Sequence, residues 1–430
     1  MELLFKNITA VTMRKDECVL KNANVGVLNG KIILNANPDG QADRIIDGTN
    51  KVLIPGLYNC HTHAPMSLFR GIGNDLPLED WLFNHIFPAE KKLTPSIVRA
   101  GALLAIAEMI ASGTVSFTDM YYFMDEIAEA ADEAGVMANL SNGVINMGRD
   151  DFDFYKCGEY LQTQKTIETY HRADHNRIRA DASIHAVYTS DEKAWRPVVE
   201  YAAENNLRMH LHLSETKTEH DGCVEKYGAT PAEIFEKHNV FGVPVTAAHC
   251  VWVTENDIEI LARNGASAVH NPVSNLKLAS GTAPVKAMLD KGLNVALGTD
   301  GMASNNSHDL FEEIKLASIA QKNALNDPTA LPAIEVLKMA TVGGAKSQGR
   351  EAESGTIDDG YDADLVLLDF ANPRQTPCYD PVLNLAYSTT GRDVQMTLCK
   401  GKILYEDGEH KTIDVEKILS ECNEIKNIFG

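Results

Sequence analysis

The sequence lacks any apolar run long enough to span a membrane, and it has few basic residues. Among its 430 residues there are 39 lysines and arginines but 60 aspartates and glutamates, so the formal net charge is −21. A membrane helix needs ~20 consecutive apolar residues, and surfaces for nucleic acids or anionic lipids need clustered basic side chains. We therefore expect a protein that binds neither a membrane nor nucleic acid and that acts on a small molecule.

We also expect no secretory leader, and the sequence lacks closely spaced cysteine pairs. Its first residues, "MELLFKNITAV", show no basic segment followed by an apolar one, and none of the eight cysteines belongs to a Cys-x-x-Cys pair. Such a chain is expected in the cytoplasm with its thiols reduced. The sequence leaves the oligomeric state open, a homo-oligomer included.

Both ends of the chain show the same pattern of short strands and turns. The segment "ANVGVLNGKII" near the start contains an Asn-Gly hairpin signal, and "VQMTLCKGKILYEDGE" near the end has the pattern of a similar hairpin. Because the two ends resemble each other and differ from the middle, we expect residues 1–54 and 360–430 to form one composite β-sandwich domain.

The middle of the chain, residues 55–359, alternates strand and helix. Apolar strands such as "GTVSFTDM" (113–120), "IRADASIHAVYT" (178–189) and "LRMHLHLSE" (207–215) alternate with amphipathic helices. With the apolar run "KVLIPGLYN" as the first, eight strands can be assigned. This alternation predicts a (β/α)₈ TIM barrel of the α/β class, whose active site lies at the carboxyl ends of its strands.

Polar side chains stand at the ends of these predicted strands, where a barrel active site is expected. His61 and His63 are two residues apart and, as alternate residues of a strand, point to the same side. The fourth, fifth, sixth and eighth strands carry further candidates, namely His185, His212, His249 and Asp300. Imidazole and carboxylate groups around an open position suit a catalytic zinc or iron ion.

All of these residues except His185 lie in segments that resemble the amidohydrolase superfamily and, within it, the 5-methylthioadenosine/S-adenosylhomocysteine deaminase family. The matching segments are "PGLYNCHTHAPMSLFRGIGNDLPLEDWL", "HLHLSET", "AHCVWVTENDIEILARNGASAVHNPVSNLKLASG" and "LGTDGMASNNSHDLFEE". The resemblance runs over nearly the whole chain. It implies hydrolytic deamination of the adenine of S-adenosylhomocysteine, 5′-methylthioadenosine or adenosine, with release of ammonia.

The resemblance also implies one divalent metal per chain, held by His61, His63, His212 and Asp300. Dinuclear members carry a bridging lysine on the fourth strand, and "ADASIHAVYT" contains none. Zn²⁺ is the expected metal, with Fe²⁺ and Mn²⁺ as alternatives that nitrogen and oxygen ligands also suit. The fifth strand has a second histidine, His210, one layer deeper, which we expect to be a hydrogen-bonded core residue.

Three residues are predicted to transfer protons or to stabilise charge. Asp300 would accept a proton from the attacking water and orient it. Glu215, three residues after His212, would pass a proton to the ring nitrogen and then to the leaving amine. His249 would hydrogen-bond the oxygen on which charge develops. In these roles Glu215 and Asp300 would both contact the substrate.

Four further residues are predicted to contact the substrate. The resemblance makes His185 a substrate contact and matches Glu90, in "FPAEKKLT", to a glutamate that binds the ribose hydroxyls. Trp81 is a candidate for stacking on the purine, and Arg149 for pairing with the carboxylate of a homocysteine tail.

Two alternative functions remain open on the sequence. One is hydrolysis of another aminated or chlorinated ring, as by a guanine deaminase or a chlorotriazine hydrolase. The other is a barrel that binds nucleosides without catalysis. Glu90 and Trp81 favour a purine that carries a ribose, and the full set of ligands together with Glu215 and His249 favours an enzyme.

Overall fold

The structure, a computed structural model, describes residues 1–73, 75, 76, 80–171 and 176–429, except for the side chain of Leu82. The segment "LPLEDWL", which contributed to the family resemblance, therefore lies partly outside the described residues, at positions 77–79.

Nineteen strands run through the described residues. In chain order they are β1 (Leu3–Val11), β2 (Val19–Leu28), β3 (Lys31–Leu34), β4 (Arg44–Asp47), β5 (Lys51–Pro55), β6 (Leu57–His63), β7 (Thr114–Met120), β8 (Met137–Ser141), β9 (Ile178–Ala180), β10 (Ala182–Ser183), β11 (Met209–Leu213), β12 (Val245–His249), β13 (Ser267–His270), β14 (Asn294–Leu297), β15 (Asp300–Gly301), β16 (Leu365–Asp369), β17 (Val394–Cys399), β18 (Lys402–Glu406) and β19 (Glu409–His410).

Helices connect most of the strands. The α-helices are α1 (Phe87–Glu90), α2 (Pro95–Ala111), α3 (Met124–Ala134), α4 (Gly158–Thr166), α5 (Glu192–Asn205), α6 (Lys217–Tyr227), α7 (Pro231–Lys237), α8 (Glu255–Arg263), α9 (Pro272–Lys277), α10 (Val285–Asp290), α11 (Leu310–Leu325), α12 (Ala333–Ala340), α13 (Val342–Ser347), α14 (Pro381–Tyr387) and α15 (Val415–Phe429). Short 3₁₀ segments occur at Ala64–Phe69, Phe154–Lys156, Val240–Gly242 and Gly391–Asp393, and π-helical segments at Trp81–Ile86 and Ile167–His171.

The barrel consists of two five-stranded parallel sheets that are joined along the chain. One has the order β15-β6-β7-β8-β9 and the other β10-β11-β12-β13-β14. Asp181 alone separates β9 from β10, and only Gly298 and Thr299 separate β14 from β15. Each of these pairs is one interrupted strand, so the ten segments make eight strands. The pairing of Asp300 with Thr62 joins the last strand to the first, as expected for a (β/α)₈ barrel.

The apolar run "KVLIPGLYN" forms two strands rather than the single strand that the sequence predicted. Its first half is β5, which pairs with terminal strands, and its second half begins β6 of the barrel. Gly56 lies between them. A Cβ atom at Gly56 would lie 2.4 Å from a methyl carbon of Val115, so the chain can pass this close to β7 only with glycine at this position.

The fourth barrel strand is shorter than the predicted range 178–189. It ends at Ser183, with one further bridge between Ile184 and Val144. Beyond this point the hydroxyls of Thr189 and Ser190 donate to the carbonyl oxygen of Ala186 at 3.2 and 2.6 Å. Such local bonds fold the backbone into a turn and compete with strand pairing. His185 therefore lies just past the strand end rather than within the strand.

Strands from both termini form a single nine-stranded sheet, which we call the terminal sheet. Its order is β19-β18-β17-β16-β5-β1-β2-β3, with β4 paired to β1. The antiparallel pairing of β5 with β16 joins the N-terminal and C-terminal segments. Strands from the two ends of the chain thus pair in one sheet, whereas the composite β-sandwich domain stays a prediction.

Strand β16 is apolar on both sides because both of its faces are buried. Leu365 and Leu367 belong to a small core on one face of the terminal sheet, together with Leu53 of β5. Val366 and Leu368 point to the opposite face and belong to the main core that includes the barrel. A strand covered on both faces has a continuous apolar run instead of an alternating one.

Two helices of the C-terminal segment pack on the barrel helices rather than on the terminal sheet. The thiol of Cys422 in α15 lies 3.6 Å from the carbonyl oxygen of Ala100 in α2. The hydroxyls of Tyr387 in α14 and Ser318 in α11 are 2.9 Å apart. Residues 360–430 therefore contribute to both regions of the molecule.

Among the described residues, no single helix is both long and apolar enough to cross a membrane. Two consecutive helical segments, Phe83–Glu90 and Pro95–Ala111, are together long and apolar enough to cross a membrane. The chain is bent by 112° between them.

Candidate active site

Four side chains that the sequence analysis assigned to a metal converge at the carboxyl ends of the barrel strands. Oδ1 of Asp300 lies 3.4 Å from Nε2 of His61 and 3.3 Å from Nε2 of His63. Nε2 of His212 lies 3.4 Å from Nε2 of His63. Possible ligand atoms of His61, His63 and His212 all lie within 4.8 Å of one another, and so do those of His61, His249 and Asp300.

Each of the three imidazoles is oriented through its Nδ1 atom. Nδ1 of His63 donates to the carbonyl oxygen of Met120 at 2.6 Å, and Nδ1 of His212 donates to that of His185 at 2.8 Å. Nδ1 of His61 lies 2.9 Å from Nε2 of His210. The deeper histidine of the fifth strand is thus a buried hydrogen-bond partner, as predicted. Partners at Nδ1 leave the Nε2 atoms directed at the common centre.

The donor set fits a divalent metal. Nε2 of His61 is buried and has no hydrogen-bond partner in the described part of the chain. An unpartnered buried nitrogen is costly unless a ligand or metal satisfies it. Burial lowers the pKa of His61 to about 3 and holds the pKa of His212 well below its usual value. Both rings are therefore neutral at pH 7, the form in which imidazole binds metals.

Asp300 is held with one oxygen toward the imidazoles and the other toward two hydroxyls. Its Oδ2 accepts hydrogen bonds from Ser274 at 2.6 Å and from Ser304 at 3.0 Å. Burial alone would raise the pKa of Asp300, but the adjacent imidazole of His61, whose Nε2 lies 3.4 Å away, and the charge of His249 outweigh it, and the pKa lies well below the usual value. Its φ of 62° is in the left-handed region, which is uncommon outside glycine and concentrates at functional sites.

Glu215 and His249 lie beside these four side chains. Nε2 of His249 is 3.8 Å from Oε2 of Glu215, and its Nδ1 is 2.9 Å from Oδ1 of Asn275. The turn before Glu215 is fixed by Glu219, whose carboxylate accepts hydrogen bonds from the backbone nitrogens of Ser214 at 3.3 Å and Glu215 at 2.7 Å. The turn that carries Glu215 is therefore tied to the first turn of α6.

Burial and charge act in opposite directions on this pair. Burial raises the pKa of Glu215 above its usual value, although the neighbouring His249 opposes the shift. Burial by itself would lower the pKa of His249, but the carboxylates of Glu215 and Asp300 outweigh it and the pKa is raised. A carboxyl group with a raised pKa can hold a proton closer to neutral pH, as a general acid must.

A cavity of about 720 Å³ opens from this cluster. His63, His185, His212, Glu215, His249 and Asp300 line its inner end. Most of its lining is apolar and includes Phe87, Ile145, Val187 and Leu278. A concave, mostly apolar cavity with a few convergent polar groups is typical of a small-molecule site.

Glu90 and Trp81 both line this cavity, although neither is carried by a barrel strand. Glu90 ends α1, and Trp81 begins the π-helical segment that precedes it. Oε1 of Glu90 accepts a hydrogen bond from the hydroxyl of Tyr121 at 2.9 Å. Burial raises the pKa of Glu90 to about 7, with the Tyr121 hydrogen bond and the charge of His63 opposing the shift.

His185 and Arg149 have different surroundings. His185 lines the cavity, its ring centroid lies 4.7 Å from that of His212, and its Nδ1 is 3.0 Å from Oγ1 of Thr189. Arg149 is exposed and is not among the cavity-lining residues. Its Nε donates to the carbonyl oxygen of Asn146 at 3.3 Å, and its guanidinium lies over the ring of Phe152. The structure does not bring Arg149 to the other predicted residues, because its loop folds back on itself.

Several supporting residues were not predicted from the sequence. Tyr121 directly follows β7, Ser274 and Asn275 lie in the quoted segment "HNPVSN", and Glu219 lies four residues after Glu215. The available signal was a polar residue within a few positions of a predicted strand end. That signal does not say which side chain each of these residues contacts.

Comparison with known proteins agrees with this geometry. Residues 52–404 match the model of the amidohydrolase family. A 5-methylthioadenosine/S-adenosylhomocysteine deaminase of Thermoanaerobacter pseudethanolicus is 44% identical over 421 residues, which cover 97% of each chain. A 5′-deoxyadenosine deaminase of Methanosarcina mazei is 42% identical over 422 residues, which cover 98% of this chain and 96% of that protein.

A solved structure is similar over the whole length. The crystal structure of an adenosine deaminase from Xanthomonas campestris with bound zinc superposes with a TM-score of 0.93 at 31% identity, and the match covers 100% of this chain and 98% of that one. The family match, the similar chains and the barrel with its histidine and aspartate cluster agree with one another. The chain belongs to the amidohydrolase family.

Proposed function

We propose that this protein is a metal-dependent hydrolase that deaminates the adenine of a nucleoside. The observation that carries the proposal is the convergence of His61, His63, His212 and Asp300 at one end of a cavity that Glu215 and His249 also reach. The similarity to proteins named as deaminases of adenine nucleosides supports the same reaction class. The reaction would hydrolyse a C–N bond of a cyclic amidine and release ammonia.

We assign one divalent metal per chain to His61, His63, His212 and Asp300. Their donor atoms, the unpartnered Nε2 of His61 and the neutral imidazoles support this assignment. The fourth strand, Ile178–Ser183, contains no lysine that could bridge a second ion. Zn²⁺ is the expected metal, as in the similar zinc-bound structure, with Fe²⁺ and Mn²⁺ as alternatives. When bound, such an ion supplies a water whose pKa is lowered toward ~7.

The protein side chains would then transfer the protons. Asp300, ionised at neutral pH and with its Oδ2 fixed by two serines, accepts a proton from the attacking water and directs its lone pair at C6 of the adenine. Glu215, with its raised pKa, gives its proton to the ring nitrogen as water adds, takes up the proton of the added hydroxyl and passes it to the departing amine. As the C6–N bond breaks and the C6 carbonyl forms, ammonia leaves, and the proton held by Asp300 restores the acid form of Glu215. His249, held by Asn275, donates a hydrogen bond to the oxygen as charge develops on it.

The outer end of the cavity would recognise the nucleoside. Glu90 accepts hydrogen bonds from the ribose hydroxyls, and Trp81 provides an aromatic face for the purine. His185, at the inner end beside His212, is assigned to a substrate contact. Arg149 has no assigned role, because its exposed side chain packs on Phe152.

We also propose that residues 1–54 and 360–430 form a composite β-sandwich domain beside the barrel of residues 55–359. The pairing of β5 with β16 and the separate small core of the terminal sheet support this division.

The proposed function is tested by ammonia release from a purine panel with zinc-loaded protein. The panel contains adenosine, 5′-deoxyadenosine, 5′-methylthioadenosine, S-adenosylhomocysteine, free adenine and guanine. Deamination of the adenine nucleosides is expected. Turnover of guanine alone would point to a guanine deaminase, and no turnover of any compound would contradict purine deamination. Elemental analysis should find one metal per active chain, and two would contradict the mononuclear assignment.

A further inference from the structure

Tyr121 connects the two ends of the cavity. It directly follows β7, its side chain is buried, and it lines the cavity. Its hydroxyl donates to Oε1 of Glu90 at 2.9 Å. The same ring lies 6.1 Å from the ring of His63, centroid to centroid. Tyr121 is therefore fixed to the rigid barrel on one side and bonded to the predicted ribose-binding carboxylate on the other.

Glu90 depends on such a connection more than the inner residues do. It ends a four-residue helix that follows a π-helical segment, and both lie between β6 and α2 rather than in a barrel strand. A glutamate side chain has several rotatable bonds, and fixing them costs conformational entropy. A site binds more tightly when its polar groups are held in the bound geometry beforehand.

We propose that Tyr121 is a positioning residue that makes the site select ribosides. Its hydroxyl fixes Oε1 of Glu90 and leaves Oε2 directed to accept hydrogen bonds from a vicinal diol. This inference rests on the proposed function, because it assigns Glu90 to the ribose. Tyr121 is not among the residues assigned to the metal or to proton transfer. Its removal should therefore weaken binding of ligands that carry the diol and leave other ligands unaffected.

The experiment compares Tyr121→Phe with the parent protein, using adenosine and 2′,3′-dideoxyadenosine as substrates. For Y121F we expect KM for adenosine to rise about three- to tenfold, the range for one hydrogen bond, with kcat within about twofold. KM for the dideoxy compound should not change. Metal content should equal that of the parent, which separates this effect from a disturbance of His63.

The matched control is Tyr387→Phe. It removes a hydroxyl hydrogen bond of the same kind, to Ser318, between α14 and α11. Tyr387 does not line the cavity, so both KM values should match those of the parent. Thermal unfolding of both variants reports whether each is folded.

Two further measurements test the role of Tyr121. In a Glu90→Ala background, Y121F should add no further increase in KM for adenosine, because both changes remove one interaction. Equilibrium binding of inosine and 2′,3′-dideoxyinosine, measured by calorimetry, should show the same selective loss without any turnover. An equal loss for both ligands, or none for either, would overturn the role of Tyr121. A parent protein that binds inosine but releases no ammonia would instead contradict the proposed function alone.

Discussion

The two ends of the cavity are held in different ways. At the inner end, His61, His63 and His212 stand on barrel strands, and each has a hydrogen-bond partner at Nδ1. At the outer end, Glu90 and Trp81 stand on short helical segments outside the barrel strands. The carboxylate of Glu90 is held by a hydrogen bond from Tyr121.

This difference matches the demands of the two tasks. Metal binding and proton transfer require donor atoms placed within a fraction of an ångström, and parallel strands with their hydrogen-bond ladder supply that rigidity. Substrate recognition can be changed on the segments that follow the strands without disturbing the chemistry. We therefore expect substitutions at the inner end to abolish catalysis and substitutions at the outer end to change substrate preference.

The largest effect is expected for Asp300→Asn. The side chain is assigned both as a metal ligand and as the proton acceptor, so metal and activity should be lost together. The rate should fall by more than the ~10²–10⁴-fold that a single acid–base group contributes. Metal content and turnover are measured on the same preparation, with Asp290→Asn, an exposed aspartate on α10, as the control. If D300N kept both its metal and its rate, β15 would not belong to the site.

The next largest effect is expected for Glu215→Gln. The amide cannot transfer a proton, so kcat should fall by ~10²–10⁴-fold, while the four metal ligands remain intact. Metal content should therefore equal that of the parent. The control is Glu225→Gln on the exposed side of α6, which should leave kcat unchanged. Near-normal turnover of E215Q would remove the residue from the proton-transfer steps.

The residues at the inner end of the cavity could be predicted from the sequence because they stand on barrel strands. His61 and His63 are alternate residues of a strand, and His212 and Asp300 lie at ends of other barrel strands. Once eight alternating strands are recognised, these side chains must meet at one end of the barrel. The period of two also placed His210 one layer deeper, where it contacts His61. The geometry of the inner end thus follows from strand periodicity.

The outer end has no such periodicity. Glu90 was assigned by family resemblance, and its partner Tyr121 is 31 residues away with no pattern that links them. Arg149 lies on a loop that folds back on itself through local contacts with Asn146 and Phe152, and no residue pattern in the sequence indicated this fold. The fourth strand was predicted too long because hydroxyl groups after it donate hydrogen bonds to the carbonyl oxygen of Ala186 and fold the backbone into a turn. Strand propensities do not take such side-chain hydrogen bonds into account.

A moderate effect is expected at the outer end for Glu90→Ala. Hydrogen bonds to a charged group contribute about 1.5–3 kcal/mol, so kcat/KM for adenosine should fall about 10- to 150-fold, mainly through KM. The parent should discriminate against 2′,3′-dideoxyadenosine, and E90A should treat both compounds alike, because both changes remove one interaction. Kinetics of the two proteins with the two substrates measure this. If the parent deaminated the dideoxy compound or free adenine as well as adenosine, the ribose contact would be irrelevant.

The smallest effect concerns the pH dependence of KM. Burial raises the pKa of Glu90 to about 7, and only the ionised carboxylate accepts hydrogen bonds with both oxygens. Lowering the pH through 7 protonates the group, so binding of ribosides weakens toward acid. Between about pH 8 and about pH 6 the ionised fraction falls from roughly nine-tenths to roughly one-tenth, and KM for adenosine should rise roughly tenfold. KM for 2′,3′-dideoxyadenosine should lack this component, as should KM of Glu90→Gln for adenosine, since an amide does not titrate. Parallel pH profiles for the two substrates on the parent would assign the titration to the inner end of the cavity and would place Glu90 outside ribose recognition.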